Sequence, residues 1–311
     1  MDTRQLRYFV AVCQFRNLSH AADHCNTAAS ALSHHIASLE AELETKLFQR
    51  KPRGMEPTAA GLKLLAHAQS ILTAFETATS ELKHGQAEIS GNIAIGMPYS
   101  VIKVIGGKLM RRVIEDYPRV RLLIQEGFSG VSYETLRNSG VEAALIFNPP
   151  SDSLTQRTPI LEEELYCIGS PAILGHEGGP IRFNDMTELP MALLKSGTLS
   201  RALIDRPAEL AKLEASARIQ LASIAGSICA MKEGLACTLA PKVLVGSELA
   251  SGALVARKVI DPSPMRTMYM VTALETRPTF LLETMIALIT ELVITAVQEG
   301  HWEGARLTEG R

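Results

Sequence analysis

The apolar positions divide the chain into two kinds of pattern. Through about residue 84 they recur at intervals of three and four, the helical period. Beyond Gly91 short strand-length apolar runs alternate with helical ones. In the first part, Leu6, Phe9, Val10 and Cys13 share one face of a helix predicted over 3–15. Ser19, just before the Ala-rich run from His20 to Cys25, reads as an N-cap, with Asp23 in the first turn. Asn26-Thr27 interrupts the run. A second helix starting near Ala28 carries Leu32, Ile36, Leu39 and Leu43 as one apolar stripe. Its opposite face, with Ser30, Ser33, His34, Ala37 and Ser38, is small and polar. Such a face can lie in the DNA major groove, which admits one helix. Arg50-Lys51-Pro52-Arg53-Gly54 then sets three cations on a turn, suited to phosphates. Together these elements predict a winged helix-turn-helix.

Thr58 caps the next helix, over 59–84, which carries Leu62, Leu65, Ile71, Leu72, Phe75, Ala78 and Leu82. A helix of this length cannot bury its own stripe, so it is predicted to pair two chains; packing against the chain's own C-terminal domain is the alternative. Further on, strands are predicted at 92–97, 120–126, 141–147, 164–170, 191–195, 218–221, 234–239 and 267–274. Helices are predicted at 100–116, 133–139, 200–213, 223–233 and 279–298. This alternation predicts parallel sheets with helices on both faces, in two lobes, the last strand and helix returning to the first lobe. The polar tail 299–311 is expected to be mobile, Trp302 included.

In open α/β sheets ligands bind at strand C-terminal ends. Four loops qualify: Pro98-Tyr99-Ser100, Gly127-Phe128-Ser129, Lys195-Ser196-Gly197-Thr198 and 222–226. Their hydroxyls and helix N-terminal N–H groups favour an anion such as a carboxylate. Ser100, Ser129, Ser196 and Thr198 are the pocket candidates, with Tyr99 and Phe128 beside them and Lys195 as counter-ion. For any single Ser or Thr the alternative is a helix cap with no ligand role.

From Met1 to Gly61 the chain resembles the N-terminal domain of LysR-type transcriptional regulators. The matching stretches are Leu6-Arg7-Tyr8-Phe9, Leu18-Ser19-His20-Ala21-Ala22, Ala31-Leu32-Ser33-His34-His35-Ile36, Leu39-Glu40, Leu47-Phe48-Gln49-Arg50, Arg53-Gly54 and Pro57-Thr58-Ala59-Ala60-Gly61. Gly140-Val141-Glu142-Ala143-Ala144-Leu145-Ile146 and the segment from Gly234 to Pro241 are similar to the family's effector domain. The resemblance implies an α/β protein with an N-terminal winged helix-turn-helix, a long linker helix and a two-lobed, periplasmic-binding-protein-like effector domain. The corresponding boundaries are 1–58, 59–88 and 89–311, with lobe one at 89–161 plus 268–298 and lobe two at 162–267. It implies a promoter dyad in double-stranded DNA and a small-molecule effector as partners. It also implies a homodimer or homotetramer, with RNA polymerase as a candidate further partner.

Three departures from the family stand out. Ala28-Ala29-Ser30 replaces the usual Ser-Gln-Pro, and Ala29 can touch a thymine methyl but cannot hydrogen-bond a base edge. His34 stands where Arg is usual. Glu44 stands where a Gly would suit a left-handed cap, which predicts slight strain. The expected DNA contacts are Ser33 and His34 as readers, Ala29 and Ser30 in close apposition, and Arg50, Lys51 and Arg53 on phosphates.

Composition narrows the alternatives. The 311 residues are 46% hydrophobic with a net charge of −2, enough for two or three compact units. Through Thr58 there are seven Lys/Arg against six Asp/Glu, so the positive charge is local, in the wing and at Arg4, Arg7 and Arg16. Four of the eight histidines lie between His20 and His35, and their protonation near pH ~6.5 would add positive charge to the DNA face. His20 and His24 have metal-ligand spacing but no accompanying acidic or Cys set, so no metal is expected. No apolar run is read as approaching the ~18 residues of a membrane span, and no signal peptide opens the chain, so no membrane partner is expected. The five cysteines form no C-x-x-C pair, which fits a reduced cytoplasmic setting.

Nucleotide, phosphate, hydrolase and zinc-protease motifs are lacking, so neither an enzyme nor a cofactor is expected. A solute-binding protein would have similar lobes but need an export signal. Cys13 and Cys25 read as small core residues. Cys229 and Cys237 also read as core, although peroxide-sensing members of the family use a cysteine pair in that lobe. Redox sensing through Cys229 and Cys237, and a ligand-independent DNA-bending repressor, are the two alternative functions.

Overall fold

The computed structural model describes residues 1–51, 54–65, 67–68, 71–72, 75, 89–176, 179–194, 207–274 and 278–308. The chain forms two compact units: Met1–Asn92 with Asn138–Gly140, and Ile93–Arg137 with Val141–Arg311.

The first unit opens with helix α1, Thr3–Phe15. Asp2 caps it, accepting the Gln5 N–H at 2.8 Å while Gln5 Oε1 accepts the Asp2 N–H at 2.9 Å. α2 spans Leu18–His24, and its cap is Asn17 rather than Ser19: Asn17 Oδ1 accepts from the N–H groups of Ser19 and His20. From its place just ahead of the helix, this side chain reaches two amides that lack a partner within the first turn. α3 spans Ala29–Glu42. Leu32, Ile36 and Leu39 are buried with Leu6, Phe9, Val12, Ala21 and Ala22 in one core. Leu43, the expected fourth member of the stripe, is 37% exposed because the helix has already ended beneath it. Glu44 has φ +49°, the left-handed conformation its departure from glycine predicted to be strained.

The wing is an antiparallel hairpin of β1, Phe48–Lys51, and β2, Gly54–Pro57, in register Phe48↔Pro57 to Lys51↔Gly54. Gly54 has φ +127°, and a Cβ there would stand 2.2 Å from the Arg16 carbonyl oxygen. That close approach is what lets the Met55 N–H donate to Arg16 O at 2.8 Å, tying the wing to the end of α1. Thr58 caps the next helix as expected, its Oγ1 accepting the Gly61 N–H at 3.0 Å. Along this helix Ala68 is buried and Leu64, Leu65 and Leu72 pack on the core, whereas Leu62, Ile71 and Phe75 are 40–56% exposed. Ala78 and Leu82 lie outside the described residues.

The second unit contains a six-stranded sheet. It combines β3 (Ser90–Met97), β4 (Arg119–Glu126), β5 (Ala143–Phe147), β6 (Thr155–Glu164), β13 (Met265–Ala273) and β14 (Ala305–Leu307) in the order β14-β6-β13-β5-β3-β4. A second lobe holds a four-stranded sheet of order β11-β7-β12-β8, built from β7 (Tyr166–Gly169), β8 (Ile181–Arg182), β11 (Thr238–Ala240) and β12 (Val255–Ile260). It also holds the parallel pair β9 (Met191–Leu194) and β10 (Ala217–Leu221). The expected all-parallel pattern is corrected. β13 runs antiparallel to both β5 and β6, β14 runs antiparallel to β6, and β7 runs antiparallel to β11 and β12. β13 enters from far along the chain between β5 and β6, so no crossover helix dictates its direction.

Among the described residues this unit has five longer helices: α4 (Gly107–Asp116), α5 (Ser129–Arg137), α6 (Pro207–Ser216), α7 (Ile224–Lys232) and α8 (Phe280–Gln298). α4 is preceded by helical Tyr99–Val101 and a π-helical turn at Ile102–Gly106. Contrary to the reading of apolar runs, α8 is long and apolar enough to cross a membrane by length and composition. Its Leu281, Leu282, Met285, Leu288, Ile289, Leu292, Val293 and Ala296 are buried here, and it packs on the π turn, α4 and β6. The tail is also corrected. Trp302 is 1% exposed, its indole N–H donates to Glu163 at 2.8 Å, and Ala305–Leu307 pairs with β6. A polar stretch taken by itself gives no sign of a buried acceptor waiting on another strand.

Candidate DNA-reading surface and ligand pocket

In the first unit the sequence-predicted reading residues share the outer side of α3. Ala29, Ser30 and His34 are exposed and Ser33 is half-buried. With Ala37 and Ser38 also exposed, the helix presents a low surface without long side chains. A base edge can approach such a backbone closely. His35 is drawn away from that surface, its ring 5.1 Å from Tyr8 in an edge contact. Arg50 and Lys51 lie on β1, while Arg53 lies outside the described residues.

Glu40 holds this geometry from inside. Its carboxylate accepts the N–H groups of Leu47 and Phe48 at 2.9 and 3.2 Å and the Lys46 ammonium at 2.6 Å. Burial raises its pKa most, yet the Lys46 and backbone hydrogen bonds together hold it below the usual carboxylate value. Sequence reading met Glu40 only as part of a motif. The signal was there: a carboxylate on a buried face, with the next strand beginning eight residues on.

In the second unit a cavity of about 480 Å³ opens between the lobes. Pro98, Tyr99 and Ser100 line it from the loop after β3, and Gly127, Phe128 and Ser129 from the loop after β4. Leu194, the segment 222–225 and Leu239, Ala240 and Pro241 line it from the other lobe. The structure therefore brings together Tyr99, Ser100, Phe128, Ser129 and the start of α7. Lys195, Ser196 and Thr198 lie outside the described residues, which reach Leu194 at the cavity wall.

Among the described residues three helical segments begin at this cavity, at Tyr99, Ser129 and Ile224. Ser223 caps the third by accepting the Gly226 N–H at 3.2 Å. Ser100 and Ser129 are 4% and 3% exposed. Ser129 Oγ accepts the Phe147 N–H at 3.1 Å, which leaves its own proton to donate elsewhere. Tyr99 packs into an apolar cluster with Tyr166, Ile168, Met231, Leu244 and Val245, so its ring joins the two lobes. Lys103 adds a polar tie, its ammonium donating to the Leu244 carbonyl at 2.9 Å.

Sequence reasoning missed the charged members. Glu126 and Arg266 both line the cavity. Arg266 is buried against Glu163, with Nε 2.7 Å and Nη2 2.6 Å from Oε2, and its guanidinium carbon lies 3.6 Å from the Phe147 ring centroid. Arg266 and Glu163 are far apart in sequence and meet through the β13–β6 register, which no local pattern encodes.

Cys13 and Cys237 are buried as expected, whereas Cys229 departs from the expectation. Cys229 is exposed on α7, not in a core, because its position turns away from the apolar face formed by Ala230 and Met231. Cys237 is buried, and its thiol hydrogen-bonds Cys167, one strand over. That hydrogen bond, then burial, pushes the Cys167 thiol up. Gly169 makes room: a Cβ there would lie 2.5 Å from Cys237 Sγ. Cys13 is buried and Cys25 half-buried. Among the described residues no group of three or more His, Cys, Asp or Glu is placed to hold a metal.

A helix-turn-helix unit with a wing, joined in one chain to a two-lobed unit with an interlobe cavity, defines the class of one-component regulators that both bind DNA and sense a ligand. Residues 3–62 match the family of bacterial regulatory helix-turn-helix proteins of the lysR type, and residues 86–293 match the LysR substrate binding domain. The chain thus belongs to the LysR family and is a LysR-type transcriptional regulator with an effector-binding domain.

The HTH-type transcriptional regulator BbuR of Bordetella bronchiseptica is 25% identical over 308 residues, covering 98% of this chain and 94% of that protein. A full-length, singly substituted OxyR from Pseudomonas aeruginosa has the same fold, with a TM-score of 0.74, 21% identity, and 100% and 99% of the two chains covered. Full-length CbnR complexed with its target DNA has a TM-score of 0.65 and 18% identity, with 95% of this chain and all of the other covered.

Proposed function

We propose that the protein regulates transcription in the cytoplasm in response to a small carboxylate seated in the interlobe cavity. Residues 1–58 bind DNA, 59–88 pair two chains, and 89–311 bind the effector. The observation that carries the reading is the convergence of three helix starts and the buried Ser100 and Ser129 on one 480 Å³ cavity. Free N–H groups at helix starts carry partial positive charge, and hydroxyl donors beside them favour an anion. A cavity of this size suits a small metabolite. Tyr99, Ser100, Phe128 and Ser129 form one wall; Lys195, Ser196 and Thr198 are assigned to the other.

On the DNA side, Ser33 and His34 read base edges, Ala29 and Ser30 allow close approach, and Arg50, Lys51 and Arg53 hold phosphates. The exposed Leu62 and Ile71 support self-association through the long helix, giving a dimer or a tetramer that engages an interrupted dyad. The effector acts by binding one arrangement of the assembly more tightly than the other, since equal affinity would shift nothing.

The test is calorimetry on the full-length protein with a panel of small acids at millimolar concentration, repeated on Ala225→Trp, which adds a ring at an exposed position of the cavity wall. Saturable binding of at least one acid, lost in the variant, is expected. Binding of no acid at all would overturn the carboxylate reading and favour ligand-independent DNA binding.

A further inference from the structure

Among the described residues lining the cavity, Arg266 is the sole cation. One edge of its guanidinium is occupied, since Nε and Nη2 both meet Oε2 of Glu163. One face lies over Phe147. The donors on Nη1 and the second hydrogen of Nη2 meet no acceptor among the described residues. A guanidinium presents its donors in a rigid planar fork, and a free edge of that fork matches a carboxylate with two parallel hydrogen bonds. Ser129 is adjoining: it accepts the N–H of Phe147, the residue on which Arg266 stacks, and has a proton left to give.

We propose that Arg266 anchors the ligand's carboxylate in this cavity, with Ser129 as second donor, and that Glu163 and Trp302 are positioning residues that fix the guanidinium. The inference rests on the cavity being the effector site. It deepens that reading by naming the anchor and the class of acid. Glu163 already neutralises Arg266, so a bound carboxylate adds one negative charge to a cavity that the exposed Glu126 also lines. The N-terminal end of α5, which begins at Ser129, offsets part of that charge. A second carboxylate would face walls of Phe128, Leu165, Leu194 and Leu239. The fitting ligand is a monocarboxylate on an apolar body.

The same network supplies a signal. Trp302 is the only tryptophan in the chain, and its indole N–H donates to Oε1 of the carboxylate whose Oε2 holds Arg266. An anion arriving on Arg266 therefore changes the field at the indole through one shared carboxylate.

The experiment titrates the full-length protein with benzoate against benzamide and hexanoate against hexanamide, reading both calorimetric heat and tryptophan emission. At least one acid is expected to bind ten-fold or more tightly than its amide and to shift the emission saturably. Arg266→Gln is expected to lower acid affinity at least ten-fold while leaving amide affinity within two-fold. Damage that is merely structural would lower both. Because Arg266→Gln strands the Glu163 charge, the double variant Arg266→Gln, Glu163→Gln, which removes both charges together, is measured alongside and should show the same lost preference. An undiminished acid preference in both variants, or acid binding without any emission change, would overturn the anchor while leaving the pocket reading intact. If no acid gives heat with the unaltered protein, the pocket reading fails and the anchor with it.

Discussion

The two units keep their chemistry in opposite places. In the first, the groups proposed to meet DNA are on the outside of α3, and the buried ionisable group, Glu40, supports the helix from inside. In the second, the groups proposed to meet a ligand are inside, and a buried ion pair, Arg266 with Glu163, stands at the cavity itself. A double helix is large and rigid, so its reader must be a protruding surface with little relief. A small molecule is recognised by being enclosed, and enclosure demands that polar groups be desolvated, paired and aimed in advance. The external site can be altered with little effect on folding, whereas the internal one cannot.

The widest separation between the units should come from Glu163→Ala. It leaves Arg266 buried without its carboxylate and Trp302 without its acceptor, an expected loss of about 3–5 kcal/mol. Urea unfolding followed by circular dichroism should show the effector-unit transition at lower urea while that of the DNA-binding unit stays in place. A coincident shift of both would erase the distinction drawn above. On the other unit, Ser33→Ala or His34→Ala should cost about 1–3 kcal/mol at particular base pairs, with unfolding unchanged. Arg50→Ala should instead weaken binding to every sequence and reduce the salt slope by about 1. Binding isotherms on single-substituted operators separate the two patterns, and uniform loss in the Ser33 and His34 variants would refute readout.

Smaller effects sharpen the role of Glu40. Its pKa is lowered in the folded state, so its contribution is fully present above the unfolded value of 4.5 and is lost as pH falls through the folded value. Glu40→Gln should therefore destabilise by about 1–2 kcal/mol near neutral pH, the difference from the parent shrinking as the medium is acidified below that value. A deficit that stayed constant into acid would show that the carboxylate's charge is immaterial. The least effect is a gain: Glu44→Gly relieves a left-handed residue and should stabilise by about 0.5–1 kcal/mol, read as a rise in melting temperature.

The contrast also explains what sequence can reveal. α1, α3, the wing and the strand–helix alternation are legible because each is set by neighbours within one or two turns. The loops carrying Tyr99, Ser100, Phe128 and Ser129 are legible because strand ends and helix starts mark themselves. β6 escapes, since Thr155–Glu164 is rich in charge and contains Pro159; it is a strand only because β13 and β14 flank it. Arg266, Glu163 and Trp302 escape for the same reason. Each is ordinary among its neighbours and acquires meaning from a register spanning more than a hundred residues. Cys229 misleads because an apolar helix suggests burial all round, whereas one side of α7 faces solvent.

The proposal that α3 and its wing read DNA can be tested on the DNA itself. A nuclease footprint on the intergenic DNA upstream of its own gene, titrated in salt, tests it most directly. A protected dyad is expected, its protection falling steeply as salt rises. No protection at low salt would contradict it, and would mean that Ala28-Ala29 and His34, where the family carries other residues, have abolished recognition.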